Sequence, residues 1–308
     1  MNLPLLSRSS RTRPLSSEDI ADAKKHIQST WKLLVKHNTE DSGTLIGLPH
    51  PYVVPAVENE YFRFEEQYYW DSFFTALGLD DEELVCGMLD NLLYLYKRFG
   101  IIPNANRMYF TGRSQPPFLT SYIFMVFDRF DKSLEWLEEK ITIAEHEYEH
   151  VWMSTSHPNW RNVYSGLSRY YDINALHDLA ETESGWDMTP RFDRKCLDYL
   201  PIDLNCLLYK YESDFARASK LLGDSKKARV WQEAAQRRQE NVTELMWSET
   251  KRFFFDYNFV EHRRASEHSL AGFYAMWSGL ATDSQASKMV HTLDKFEHSG
   301  GLSTTSAR

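Results

Sequence analysis

No apolar run in this sequence approaches the roughly 18 residues that a membrane span needs. A glycine-rich phosphate loop and a Gly-x-Ser-x-Gly elbow are both missing, which argues against a P-loop nucleotidase and an elbow-type serine hydrolase. Cysteine is scarce. Cys86, Cys196 and Cys206 sit among apolar residues at spacings that fit no zinc or redox motif. The segment from Met1 to Ser17 carries arginines but no apolar stretch of secretory type. With an odd cysteine count, this points to a reducing, cytoplasmic setting. Among the 11 histidines His146 and His150 stand four apart, but no His/Cys cluster of metal type joins them, so no metal is expected. Basic excess is also lacking: 35 Lys+Arg stand against 44 Asp+Glu, a net charge of −9. That excludes a surface built for nucleic acid or for an anionic membrane. Nothing in the sequence fixes an oligomeric state.

Aromatic residues are abundant, with 18 Phe, 17 Tyr and 9 Trp in 308 residues. The length suits one large domain or two ordinary ones. Ser16 and Asp19 resemble a capping box ahead of a helix over about residues 17–36, on which Ile20, Ile27, Trp31, Leu34 and Val35 recur at helical spacing. Residues 1–16 read as a mobile arm. Pro49, Pro51 and Pro55 exclude helix from the next stretch.

From Tyr69 onward the hydrophobic pattern repeats. Four times, a segment apolar on most sides precedes one that is apolar on one side. The pairs are about 70–79 with 81–99, 118–127 with 132–152, 201–222 with 224–245, and 270–280 with 283–296. A helix buried all round belongs inside and a one-sided helix belongs outside. The pattern predicts an all-α ring of inner helices wrapped by outer ones. Its uneven spacing excludes a short-period solenoid. Arg252 to Tyr257 is the one convincing strand candidate.

The polar motifs fall between these helices, at about residues 48–71, 101–117, 155–198 and 250–266, and long loops in a compact domain are commonly functional. Glu183-Ser184-Gly185-Trp186-Asp187 places a carboxylate after a glycine and a tryptophan, with Pro190 and Arg191 close behind. A carboxyl against an apolar wall is harder to ionise, which is how a general acid stays protonated near neutrality. Arg63 to Ser72 packs Glu65, Glu66 and Asp71 beside Tyr68, Tyr69 and Trp70, a composition suited to the rim of a cleft. Asn104, Asn106, Arg107, Arg113, Ser114 and Gln115 supply amide and guanidinium groups that match the vicinal hydroxyls of a sugar. Taken singly, each stretch also fits ordinary turn and helix-start chemistry.

Together these stretches resemble the trehalase family. Pro49-His50-Pro51-Tyr52-Val53-Val54-Pro55 and Arg63 to Phe74 look like its first signature, with the more acidic Val57-Glu58-Asn59-Glu60-Tyr61 where the family has a glycine pair. Ile102-Pro103-Asn104-Ala105-Asn106-Arg107, Arg113-Ser114-Gln115-Pro116-Pro117, Ser184-Gly185-Trp186-Asp187 and Gly300-Gly301-Leu302-Ser303-Thr304-Thr305-Ser306 follow in the family's order. The resemblance implies an (α/α)6 barrel, incomplete in this chain and spanning residues 17–308. It also implies a cofactor-free glycosidase that hydrolyses α,α-trehalose to glucose with inversion.

By the same resemblance, Asp187 is the general acid, and Arg63, Trp70, Asp71, Asn104, Arg113, Ser114, Gln115 and Gly185 bind sugar. The expected partner is a small disaccharide or glucoside. Two departures keep other readings open. The family has a longer segment where about residues 170–183 stand here, which admits a related α-glucosidase of the same barrel. The family's general base lies in a region expected beyond residue 308, and Glu65, Glu66, Asp71 and Glu183 do not match it. A non-catalytic glucoside-binding fragment is therefore the other reading.

Overall fold

The computed structural model describes residues 16–58, 60–298 and 300–306. The arm expected over residues 1–16 falls on residues 1–15, outside that range, while Ser16 is the N-cap of the first helix. Ten α-helices follow among the described residues: α1 Ser17–Thr30, α2 Tyr69–Leu77, α3 Glu82–Phe99, α4 Leu119–Arg129, α5 Leu134–Glu147, α6 His177–Glu183, α7 Ile202–Leu221, α8 Ser225–Met246, α9 Tyr274–Trp277 and α10 Asp283–Val290. Their limits come from local chemistry. The Asp81 side chain accepts from Leu84 N–H to start α3, and Gly100, at φ +71°, ends it. Ser133 and Asp224 cap α5 and α8 in the same way.

The inner ring runs α2, α4, α7, α9, each packed on the next. The amphipathic α3, α5 and α8 pack outside α2, α4 and α7. α9 extends a 3-10 turn, Leu270–Phe273, and α10 follows it. These are the alternating hairpins of an (α/α)6 barrel, as the hydrophobic pattern predicts. Phe74 and Leu77 of α2 and Trp277 of α9 are exposed, with Phe74 and Trp277 on either side of the buried Phe118. No described helix is long and apolar enough to cross a membrane, and all three cysteines are free thiols.

Three local expectations change. α1 stops at Thr30 with no buried residue, although its capping box forms as expected. Trp31–Leu34 is a 3-10 turn, and Val35–Lys36 pairs antiparallel with Tyr52–Val53, because two β-branched residues meet across that ladder. Phe253–Phe254 does form a strand, against Trp247–Ser248, but other short strands join it. Tyr199–Leu200, Tyr257–Asn258 and Arg263–Arg264 make a small three-stranded sheet. The long loop expected over 155–198 contains a hairpin, Asn162–Tyr164 with Leu167–Ser168, and then α6.

Candidate active site

The site begins at the first turn of α2, whose free N–H groups need partners. Tyr69 N–H donates to the Asn104 carbonyl at 3.1 Å, and Trp70 N–H donates to Gln115 Oε1 at 3.0 Å. Asn104 N–H in turn donates to the Arg113 carbonyl at 3.0 Å. Gln67 N–H donates to Asn106 Oδ1 at 2.8 Å, and Asn106 Nδ2 donates to the Ile46 carbonyl at 2.7 Å. The amide-rich loop read as a set of sugar contacts thus also caps the helix that carries Trp70 and Asp71.

Behind it lies a buried ion pair. Glu183 is fully buried and accepts from Ser114 N–H at 2.6 Å, from Tyr171 N–H at 2.7 Å and from the Arg161 guanidinium. Ser114 spends its hydroxyl on the Ile102 carbonyl at 2.6 Å. Arg113 donates from Nη1 to the buried Asp172 at 2.9 Å and lies over the Phe110 ring. Its Nε is buried without a hydrogen-bond partner.

The Gly-Trp-Asp turn closes the cleft. Gly185 adopts φ +72° and sits so close to Trp70 that a Cβ there would meet the indole at 2.7 Å. The two indoles of Trp70 and Trp186 meet edge to face at 6.1 Å. Trp186 Nε1 donates to Asp203 Oδ2 at 2.8 Å. The buried Arg191 is gripped by Asp203 and Asp256 together, and Tyr170 Oη donates to Asp203 at 3.1 Å. Asp203 stands in the first turn of α7, so the inner helix holds the turn in register.

Asp187 follows at φ +57° with its side chain exposed. The half-buried Asp71 is held above its ordinary range first by desolvation, and the nearby charge of Asp187 adds to the rise. Two carboxyls therefore lie near one another, one exposed and one half-buried.

Trp70, Asp71, Gly185 and Asp187 come together at the mouth of the ring. Asn104, Arg113, Ser114 and Gln115 form the frame behind them. Arg63 stands apart on an exposed acidic rim, paired with Glu65 at 2.9 Å and Glu58 at 3.5 Å. Glu66 is buried against Arg107 Nε and Glu183 is saturated, so neither presents a carboxylate to the cleft. The sequence reading missed the supporting roles of Arg161, Arg191, Asp203 and Asp256. A charge at the start of an otherwise apolar helix, as at Asp203, was the available signal. No group of three or more potential metal ligands occurs among the described residues.

Comparison with known proteins gives a consistent result. The family profile described as Trehalase matches residues 8–183 and 158–308. The cytosolic neutral trehalase of Saccharomyces cerevisiae is 34% identical over 94% of this chain and 47% of its own length. The periplasmic trehalase of Escherichia coli O1:K1 / APEC is 29% identical over 92% of this chain and 58% of its own. The solved neutral trehalase Nth1 of S. cerevisiae superposes with a TM-score of 0.76, at 33% identity over 84% of this chain and 58% of that one. A GH63 mannosylglycerate hydrolase from Thermus thermophilus shares the fold, with a TM-score of 0.61 at 18% identity over 80% of this chain and 72% of that one. The chain spans about half the length of the curated relatives it matches.

Proposed function

The chain belongs to the trehalase family, and from that premise we propose that it forms the acid-bearing part of an inverting α,α-trehalose hydrolase acting in the cytoplasm. The observation that carries this reading is the meeting of Asp71 and Asp187 beside the Trp70 and Trp186 indoles, with Gly185 packed on Trp70. Indoles offer flat apolar faces to the C–H surface of a pyranose. Asp71, harder to ionise than a free carboxyl, suits contact with sugar hydroxyls.

Asp187 donates its proton to the glycosidic oxygen as the bond to the anomeric carbon breaks, and water attacks from the opposite face. A base carboxylate then stands roughly 6.5–9.5 Å from the acid, leaving room for that water. Glu66 and Glu183 are poor candidates for this role, since each is buried against an arginine. Neither is offered as the base, and the family resemblance implies one in a region beyond residue 308.

A related α-glucoside is the second reading. It is favoured by the short turn between Asp172 and α6, where Ile173 and Leu176 are left exposed. Calorimetric titration with trehalose, maltose and glucose separates the two. Trehalose binding that is lost in Trp70→Ala and kept in Asp187→Asn supports the first reading. Binding of maltose alone selects the second, and no binding of any glucoside removes both. Where hydrolysis is seen, early proton NMR of the products from trehalose should show one α- and one β-glucose. Two α anomers would mean retention.

A further inference from the structure

Directly beneath the cleft lies a carboxyl group that the proposed reaction does not use. Glu147, the last residue of α5, is fully buried where the helix widens into a π turn over Tyr148–Trp152. A charge placed on the apolar stripe of an outer helix is costly without partners. Glu147 has three, all neutral donors. Its Oε1 accepts from Trp152 Nε1 at 3.2 Å and from Tyr69 Oη at 3.3 Å, and its Oε2 accepts from Tyr211 Oη at 2.9 Å. The two phenol oxygens lie 3.0 Å apart, and Leu119 N–H reaches both, at 3.2 and 3.1 Å.

The positions of these partners matter. Tyr69 immediately precedes Trp70 and Asp71 at the start of α2. Leu119 is the first residue of α4, just after the Arg113-Ser114-Gln115 loop. Tyr211 belongs to α7, which also carries Asp203 under the Gly-Trp-Asp turn. One carboxyl on the outer layer thus ties together the three inner helices that present the cleft.

We propose that Glu147 is a positioning residue of the sugar cleft, setting the start of α2, and with it Trp70 and Asp71, through the hydroxyls of Tyr69 and Tyr211. The inference rests on the glucoside-binding reading for its effect on ligand, but not for its effect on Trp70.

Burial pushes the Glu147 carboxyl up to about 7, against the pull of the Tyr211, Trp152 and Tyr69 hydrogen bonds and of the Arg161 charge. Ionised, it accepts from all three donors. Protonated, it turns one acceptor oxygen into a donor, and one contact must reorganise. The groups facing it are Tyr69 on α2, Tyr96 on α3, Tyr211 on α7 and Arg161. The phenols are raised by burial, Tyr96 to about 12, and stay protonated. Arg161 is bound to Glu183. His146 and His150, on the same helix and its π turn, face solvent.

The test uses the full chain labelled with 15N-tryptophan, with Trp70 assigned by Trp70→Phe. The Trp70 amide resonance should titrate with a midpoint near neutrality in the wild type and be flat in Glu147→Gln. Removing a donor with Tyr211→Phe should move the midpoint upward, which decides the matter even where Glu147→Gln does not fold. Trehalose affinity should rise roughly tenfold from pH 6 to pH 8 in the wild type, the worth of one hydrogen bond to a charged group. In Glu147→Gln it should stay at the weaker value. A flat Trp70 resonance in the wild type, or a titration that survives in Glu147→Gln, overturns the proposal. If no variant binds sugar, the glucoside reading fails while the Trp70 titration still decides the role of Glu147.

Discussion

Glu183 and Asp187 belong to one short stretch and live in opposite surroundings. Glu183 is sealed from water and accepts from the backbone of Ser114 and Tyr171 and from the Arg161 guanidinium. Asp187 is exposed on a left-handed turn, beside the aromatic wall. The same contrast runs through the whole site. Below the cleft, Arg191, Asp203 and Asp256 are buried and bonded to one another. Along the rim, the exposed Arg63 pairs with the exposed Glu58 and the half-buried Glu65. A charged residue in a motif thus has one of two jobs, building the loop or facing the ligand, and burial together with saturation tells which. The base of the cleft should therefore control folding, and its rim should control binding and chemistry.

The largest loss of folding free energy is expected at Glu183→Ala. Removing one member of a buried ion pair leaves the other charged and unpartnered, a loss of about 3–5 kcal/mol. Here two backbone N–H groups are orphaned as well. Urea denaturation measures it, and a loss below 1 kcal/mol, on the scale of exposed pairs, would dissolve the distinction between base and rim.

This division was only half legible in the sequence. The hairpin alternation was plain because helical periodicity survives without knowledge of contacts, and α3, α7 and α8 begin and end about where the periodicity predicts. The joining of Trp70 to the Gly-Trp-Asp turn was legible only through the family resemblance, since more than a hundred residues separate them. What could not be read was which polar side chains face inward. Ser114 and Glu183 have the composition of a ligand site but spend their groups on the protein. Periodicity says nothing about partners outside helices. Glu147 shows the reverse case. It lies among Ala144, Tyr148 and Val151 on a face that reads as apolar, so a charge there was the mark of a buried network.

A middle-sized effect is expected at Gly185→Ala, where base and rim meet. The added methyl faces two obstacles: a backbone at φ +72°, and the Trp70 indole at 2.7 Å. Strain of this kind costs on the order of 1–3 kcal/mol. Near-UV circular dichroism should change as the indole is displaced, and trehalose affinity should fall with it. An unchanged spectrum would mean that the turn does not rest on Trp70. At the rim, Arg63→Ala should cost about 0–1 kcal/mol in stability, because Arg63 and Glu58 are exposed and Glu65 is only half-buried. Its effect should appear in sugar affinity, while the small stability term from its ion pairs should weaken as salt is raised.

The smallest stability change is expected at Asp187→Asn, and it separates the two regions most sharply. The side chain is exposed, so the substitution falls in the class that moves stability by no more than about 0.5 kcal/mol. Asparagine also tolerates the left-handed backbone found here, at φ +57°. The fold should therefore be indifferent to the change, and sugar binding should be spared. Turnover should not be, because an amide has no proton to give to the glycosidic oxygen. In a barrel that contains the base, the loss of general acid catalysis should lower turnover by about 10²–10⁴. Aryl glucosides whose leaving groups need no proton should escape most of that loss, and comparing them with trehalose isolates the acid step. Equal losses on both substrates would take the acid role away from Asp187. A large drop in melting temperature would place Asp187 with the buried base instead.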